Sequence, residues 1–211
     1  MTAPYTPPVA SVTEAWVRIE GWMQVYAPAS TVMLARPATQ DSIAAAEAEL
    51  GLTFPAELAE SLHRHDGLTE WANVLPEAAP LSVTGILEHR QMRMEIANSV
   101  DGFTPYRAGA EPCWHEGWLP FGDADGDIQV LDLRPGPGFA RVGWAPHDNP
   151  ADFSDAWPSL GAYLTAVADA LETGGATGVW YPYLTTDGTL WWSLGGETEL
   201  NGEPLRPAPP R

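Results

Sequence analysis

The spacing of hydrophobic residues along the chain predicts five helices, because in each of them apolar side chains recur at steps of three and four. The first follows Ser11, which forms a capping-box pattern with Glu14, and it stops at Pro28. The second follows Thr39 and ends at Gly51, a residue suited to a left-handed helix cap. The apolar positions that define these two helices are Trp16, Ile19, Met23, Tyr26, Ile43, Ala46 and Leu50.

Three more helices are predicted further along the chain. A short one begins at Pro55, is closed by Asp66-Gly67 and forms a helix hairpin with its predecessor. The fourth is capped by Ser82 or Thr84 and runs to about residue 97. The fifth ends at Gly174-Gly175. Their apolar positions are Leu58, Leu62, Ile86, Leu87, Met94, Leu160, Leu164, Val167 and Leu171.

Two hairpins and one further strand are predicted between and after these helices. In Trp118–Pro135, which reads WLPFGDADGDIQVLDLRP, two strand-type runs flank Gly122–Asp127, and Asp125-Gly126 supplies the left-handed backbone of a tight turn. Residues 140–144 form another short strand. A second hairpin joins 179–184 to 189–194 through Asp187-Gly188 and is rich in aromatic residues. The elements together predict an α+β fold, an antiparallel sheet of mixed order flanked by helices.

The remaining segments lack periodicity. Residues 1–10 are proline-rich and predict an extended arm. We interpret 71–80 as irregular, 99–111 as a surface loop and 146–158 as a turn-rich stretch. We expect one domain over 11–175, an aromatic hairpin packed on it over 176–203, and a disordered tail over 204–211. No linker is clear enough to divide the chain.

Charge is the strongest compositional signal. Aspartate and glutamate total 28 against ten arginines and no lysine, which gives a formal net charge of -18. Such a chain repels nucleic acid and attracts a basic protein. Composition alone favours the alternative that the charge only maintains solubility.

Hydropathy and cysteine usage indicate the cellular location of the protein and the state of its thiol. No apolar run approaches the roughly 20 residues that span a bilayer, and no signal peptide is evident, so we expect a cytoplasmic protein without membrane contact. Cys113 is the single cysteine and is interpreted as a buried thiol. The sequence does not specify an oligomeric state.

Clusters of polar residues suggest binding more than catalysis. Asp123, Asp125 and Asp127 alternate as calcium ligands can, but an EF-hand counted from Asp123 would meet Ile128 and Arg134 where glycine and glutamate are required. We interpret them as a solvated turn that can meet arginines of a partner. His63, His65 and Asp66 are assigned to helix termination, and the His115-Glu116 and His147-Asp148 pairs specify no reaction. No catalytic motif appears, so neither an enzyme, a metal nor a cofactor is expected.

Ten tryptophans are unusual in a chain of this length. Trp16, Trp157, Trp180 and either Trp191 or Trp192 lie on or beside predicted buried faces. Tryptophans in or near irregular segments are interface candidates, because aromatic anchors dominate many protein interfaces. The full set of predicted partner-binding residues is Trp71, Trp114, Glu116, Asp123, Asp125, Asp127, Trp144, His147 and Asp148.

An ordered series of motifs resembles the SMI1/KNR4 family of the SUKH superfamily. AEAELGLTFPAELAESLHRHDG over 46–67 is followed by WLPFG, DGDIQVLDLRP and a late helix after Ser154, and the resemblance covers about 43–171. It implies a mostly non-catalytic α+β domain. Bacterial members are thought to be immunity proteins that neutralise toxins, and fungal relatives look like regulators of cell-wall synthesis. We therefore expect an immunity-type protein that binds a basic toxin, with a regulatory scaffold as the alternative and a carbohydrate binder or enzyme as less favoured.

Overall fold

The computed structural model describes residues 11–211, and the arm predicted over 1–10 lies outside that range. Within it the chain forms six helices and three antiparallel sheets, an α+β architecture. The helices are α1 Val12–Tyr26, α2 Pro28–Thr31, α3 Gln40–Leu50, α4 Ala56–Arg64, α5 Val83–Val100 and α6 Leu160–Thr173. The strands are β1 Ala79–Pro80, β2 Trp118–Ala124, β3 Asp127–Asp132, β4 Val142–Ala145, β5 Asp152–Trp157, β6 Trp180–Leu184, β7 Leu190–Leu194, β8 Glu199–Leu200, β9 Glu203–Pro204 and β10 Arg206–Pro207.

Helix ends follow the capping residues in the sequence. Ser11 Oγ accepts a hydrogen bond from the Glu14 backbone N at 3.2 Å, and the Ser11 N donates to Glu14 Oε2 at 2.9 Å, so the capping box is confirmed. Gly51 ends α3 in a left-handed conformation. Of the two candidate caps for α5, Ser82 is the one that accepts from Gly85 N. That helix runs three residues past the predicted end and stops where Asp101 adopts a left-handed conformation.

The HRHDG segment, residues 63–67, ends α4 and contacts the start of α5, so it has a structural role. His63 and His65 each place one ring nitrogen on a backbone carbonyl, those of Ala38 and Ala35. Asp66 Oδ1 accepts from the Val83 backbone N at 2.7 Å, at the start of α5. Gly67 has a φ of 69°, and a Cβ there would lie 2.6 Å from the backbone N of Ser82, so only glycine fits this crossing.

The main sheet has five strands in the order β1-β2-β3-β4-β5. Its β2–β3 hairpin is confirmed: Ala124 pairs with Asp127, and Asp125 and Gly126 form the turn with φ values of 54° and 98°. The interpretation of 71–80 as irregular and of 146–158 as turn-rich was wrong, because β1 and β5 form the two edges of this sheet. Edge strands pair on one side only, and four of the six β5 residues are polar or small, so no strand pattern appears.

Both faces of this sheet are buried. Leu119, Phe121 and Leu131 join a large core with residues of α1, α3, α4 and α6. Trp118 and Val130 belong to a smaller core on the opposite face, with the end of α5 and Trp114. The closest helix pair is α1 with α6. None of the helices in residues 11–211 is long and apolar enough to cross a bilayer.

The C-terminal residues differ from the predicted disordered tail. Strand β10 pairs with β6, and both Leu205 and Ala208 are buried. The Trp22 indole Nε1 donates to the Pro209 carbonyl at 3.2 Å, which ties this segment to α1. The tail is therefore ordered by contacts distant in sequence, which its proline-rich composition does not indicate.

The aromatic hairpin of β6 and β7 contacts the main core. Trp192 is buried and its Nε1 donates to the Val74 carbonyl at 3.3 Å, while Leu190 N donates to Ser30 Oγ at 2.8 Å. Trp191 faces the opposite way and is half-buried. Successive side chains of a strand point to opposite faces, so only one of these two tryptophans can face the core, and that one is Trp192.

Candidate functional site

The acidic turn shares a cavity with an exposed tryptophan. Asp123 and Asp125 line a cavity of about 510 Å³ together with Trp71. Trp71 is 62% exposed and its ring centroid lies 5.9 Å from that of Trp191. Asp123 Oδ1 also accepts from Gly126 N at 3.1 Å, so it fixes the turn that it belongs to. Three of the predicted partner-binding residues are therefore adjacent.

Glu77 joins this cavity to a second one. Its side chain lines both, and its backbone has a φ of 72°, which is rare for a residue with a Cβ. Glu77 Oε2 accepts from Gln129 Nε2 at 3.0 Å, and Oε1 accepts from Trp180 Nε1 at 2.9 Å. Two donors thus hold one carboxylate between the sheet and the C-terminal hairpin.

The second cavity has a volume of about 490 Å³, and we call it the tryptophan groove. It is bounded by β4 and β5 on one side and by β6 with the residue before it on the other. Its lining residues are Glu77, Gln129, Val142, Gly143, Trp144, Asp152, Asp155, Ala156, Trp157, Val179 and Trp180. A Cβ on Gly143 would lie 2.2 Å from the Phe153 ring, so glycine is required for Phe153 to pack across β4.

The charged residues that line these two cavities are all acidic. No arginine or histidine lines either cavity within residues 11–211. Four arginines bind carboxylates elsewhere in the fold, and two more donate to backbone carbonyls. In the groove, the backbone N of Ser154 donates to Asp152 and holds the pKa of that carboxyl below its usual value, which keeps it ionised. The face is therefore acidic and aromatic at neutral pH.

Comparison with known proteins identifies the domain. The model of the SMI1 / KNR4 family (SUKH-1) matches residues 37–166, more than half of the chain. The chain belongs to the SMI1/KNR4 family. A curated relative, the "Cell wall biosynthesis/cell cycle regulator smi1" of Schizosaccharomyces pombe (strain 972 / ATCC 24843), is 28% identical over 156 residues. That match covers 64% of this chain but only 30% of the relative, so the chain spans less than a third of its length.

The SMI1/KNR4 match contains most of the site but not all of it. The acidic turn, Glu77 and the β4–β5 wall of the groove lie within 37–166, whereas Trp180 and Val179 lie beyond it. The groove of this SMI1/KNR4 domain is therefore completed by the C-terminal hairpin, a segment outside the family match.

Asp127 faces away from both cavities. Its Oδ1 accepts from the backbone N of His147 at 2.8 Å and lies 2.7 Å from His147 Nδ1. Partial burial opposes ionisation of Asp127, but the hydrogen bonds from His147 lower its pKa overall. The same carboxylate raises the pKa of His147. The pair fastens the β4 end to the hairpin turn.

The other predicted residues lie apart from the acidic face. Trp114 was predicted to bind a partner but is 1% exposed, because it packs edge-on against Trp118 and under the Arg93 guanidinium. It was chosen because it lies next to an irregular segment, and the contacts of its side chain bury it. His147 and Asp148 line a separate cavity of about 180 Å³ with Arg93. Glu116 is exposed at a loop and its carbonyl accepts from Arg90.

Sequence reasoning missed several residues of the site. Trp157 and Trp180 were assigned to the core, and each is half-buried, packing on the core while also lining the groove. Glu77 lies in a segment without periodicity, so no sequence signal marks it. The carboxylates of β5 escaped notice because that strand was interpreted as turns. The missed groove residues are Glu77, Gln129, Asp152, Asp155, Trp157 and Trp180.

The arrangement of these groups supports binding chemistry. Within residues 11–211, no three histidine, cysteine, aspartate or glutamate side chains are placed to share one metal ion. The groove combines carboxylates with indole rings, a combination that stabilises cationic groups through charge and through cation–π contact.

Proposed function

We propose that this SMI1/KNR4 protein is a non-catalytic binding protein that captures a basic protein partner on the face formed by the acidic turn, Trp71 and the tryptophan groove. One observation carries this proposal: within residues 11–211, no arginine lines the two cavities beside the carboxylates and the exposed tryptophan, while six arginines are held in contacts with other residues of the fold. The tryptophan supplies an anchor and the carboxylates steer encounter. A polyanion such as nucleic acid is disfavoured by the same charge.

The biological role that we favour is immunity. The partner is then a basic toxin domain, and the protein neutralises it in the cytoplasm by occluding it. Support comes from the net charge of -18 and from membership of the SMI1/KNR4 family, whose bacterial members are thought to be immunity proteins. A toxin gene next to the gene for this chain would favour this role directly.

A regulatory scaffold is the second candidate. The specific observation in its favour is the relative from Schizosaccharomyces pombe, whose name describes a regulator of cell-wall biosynthesis and the cell cycle. On this alternative the same acidic face binds a housekeeping protein, such as one of cell-envelope synthesis, and no toxin is involved.

The test is affinity capture from the organism that encodes the chain, at low and at moderate ionic strength. The tagged protein is compared with the Asp123→Asn/Asp125→Asn variant and with a matched control, Glu49→Gln/Glu199→Gln, whose exposed carboxylates line neither cavity. We expect a basic protein that the control retains and that the acidic-turn variant loses. An association rate that does not fall with salt would contradict electrostatic steering. A toxin among the captured proteins supports immunity, and only housekeeping proteins support the scaffold.

A further inference from the structure

We propose that the tryptophan groove binds the guanidinium group of an arginine side chain presented by the protein partner. This inference rests on the proposed function, since it names the group of the partner that the site recognises. Net charge alone predicts only that a basic partner binds. The inference names the pocket that binds it and the side chain that enters the pocket.

The charged groups that line the groove are all hydrogen-bond acceptors. The Trp180 indole N–H and the Gln129 amide both donate to Glu77, so these two donors are already used. The Glu77, Asp152 and Asp155 carboxylates line the groove and can accept hydrogen bonds from a ligand.

The walls of the groove suit a flat cation. Trp144 and Trp157 come from β4 and β5, and Trp180 comes from β6 on the opposite side. Indole rings attract cations at their faces, and the planar guanidinium stacks on them better than a spherical ammonium does. The volume of about 490 Å³ lies within the range of pockets that hold small ligands.

Glu77 is positioned before a ligand arrives. Its left-handed backbone conformation is strained for a residue with a side chain, and strain of this kind often accompanies functional sites. The two hydrogen bonds from Gln129 and Trp180 fix the carboxylate plane while leaving lone pairs free. A fixed carboxylate favours the forked donors of arginine.

Other ligand classes fit less well. A neutral sugar gains nothing from the negative charge of the carboxylates that line the groove, whereas a guanidinium does. A lysine ammonium can be attracted, but it lacks the planar fork that matches indole faces and carboxylates together. Arginine is the side chain that uses all three features.

The experiment uses the tripeptide acetyl-Gly-Arg-Gly-amide as the probe and the full chain labelled with ¹⁵N. We expect the Trp180 indole N–H signal to shift on titration, because that group donates to Glu77 and both residues line the groove. The same tripeptide with citrulline keeps the shape without the charge, and we expect it to bind about tenfold more weakly or worse. The lysine tripeptide is expected to be several-fold weaker than the arginine one. Equal binding of the citrulline or lysine tripeptide, or no shift at Trp180, overturns the proposal.

Variants locate the binding site. Glu77→Gln keeps the side-chain shape and is expected to weaken the arginine tripeptide by about tenfold. The Glu49→Gln/Glu199→Gln control is expected to leave binding unchanged. If Asp123→Asn/Asp125→Asn weakens it as much as Glu77→Gln does, the peptide binds the acidic surface in general and the proposal is overturned. The citrulline comparison uses the unaltered protein, so the test holds even if Glu77→Gln impairs folding.

The two proposals fail in distinguishable ways. Suppose that a basic protein is captured by the unaltered chain and by the Glu77→Gln variant, but not by the acidic-turn variant. The proposed function then stands and the arginine pocket is overturned. If the tripeptide binds as expected but no basic protein is ever captured, the pocket stands and the proposed function is overturned.

Discussion

Asp127 and His147 form an exposed ion pair in which the two pKa values shift in opposite directions. The pKa of His147 is raised by its hydrogen bond with Asp127, and the pKa of Asp127 is lowered despite its partial burial. The contribution of the pair to stability is therefore present between these two pKa values. It is lost as pH falls through the lowered pKa of Asp127 or rises through the raised pKa of His147.

We predict that Asp127→Asn returns the pKa of His147 toward about 6.5, the value of an unperturbed histidine. The measurement is an NMR titration of the imidazole signals in both proteins. Asp125→Asn serves as the control, because Asp125 is exposed and makes no hydrogen bond to His147. An unchanged His147 titration in the Asp127 variant would show that the pair is absent in solution.

Glu20 is the most strongly perturbed carboxylate among those described. Burial raises its pKa, but hydrogen bonds from His65 and Arg64 outweigh this and lower the pKa from 4.5 to about 2. A lowered pKa stabilises the fold above the ordinary value and ceases to do so as pH falls through the lowered one. The ion pair joins α1 to the end of α4.

We predict that Glu20→Gln lowers the free energy of unfolding by about 1–2 kcal/mol at neutral pH, less than the whole pKa shift implies because Arg64 is partly exposed. Relative to the unaltered protein, that difference should shrink as pH falls from 4.5 toward 2. Urea unfolding at a series of pH values measures it. A difference that is independent of pH would mean that the loss comes from packing and not from charge.

At the scale of elements, the C-terminal strand β10 stabilises the domain from outside the family match. Leu205 and Ala208 are buried, Ala208 N donates to the Pro182 carbonyl, and Pro209 accepts from the buried Trp22 indole. These contacts connect the last residues to the β6–β7 hairpin and to α1. The strand thus links two elements that are far apart in sequence.

We predict that deletion of residues 205–211 lowers the free energy of unfolding by about 3 kcal/mol, because it exposes apolar surface and leaves the Trp22 donor unpaired. Chemical denaturation measures the change. Deletion of Arg211 alone removes one backbone hydrogen bond to Glu172 and should cost about 1 kcal/mol or less. Equal stability of the longer deletion and the full chain would show that the segment is not packed in solution.

Elements with local signals could be predicted, and elements that depend on distant partners could not. The capping box at Ser11, the left-handed Gly51 and the Asp125-Gly126 turn are all set by neighbouring residues. Strands β1 and β10 have two residues each and exist only because β2 and β6 pair with them. The ordered tail was missed for the same reason.

The residues of the candidate site also divide into those that sequence neighbours bring together and those that only distant contacts bring together. Asp123 and Asp125 were predicted as a pair because a hairpin turn brings sequence neighbours together. Glu77, Gln129 and Trp180 come from three separate segments, and only tertiary packing places them in one groove. Trp114 was misjudged because the burial of a tryptophan in a loop depends on what the loop covers.

At the scale of the whole molecule, 18 uncompensated negative charges repel one another in the compact state. Salt screens this repulsion over about 10 Å at 0.1 M ionic strength. We predict that the thermal midpoint of unfolding rises when sodium chloride is added from low to moderate concentration. Differential scanning calorimetry measures it, and a midpoint that falls with salt would show that the internal ion pairs outweigh the repulsion.

Strand β5 has a consequence for the colloidal behaviour of the protein. It is an edge of the main sheet, with an unpaired row of backbone groups, and Asp152, Ser154 and Asp155 are exposed along it. Charged side chains on such an edge prevent two sheets from joining. The carboxylates that line the tryptophan groove therefore also act as gatekeepers against polymerisation. Removal of these charges should favour edge-to-edge fibrils before the domain itself unfolds.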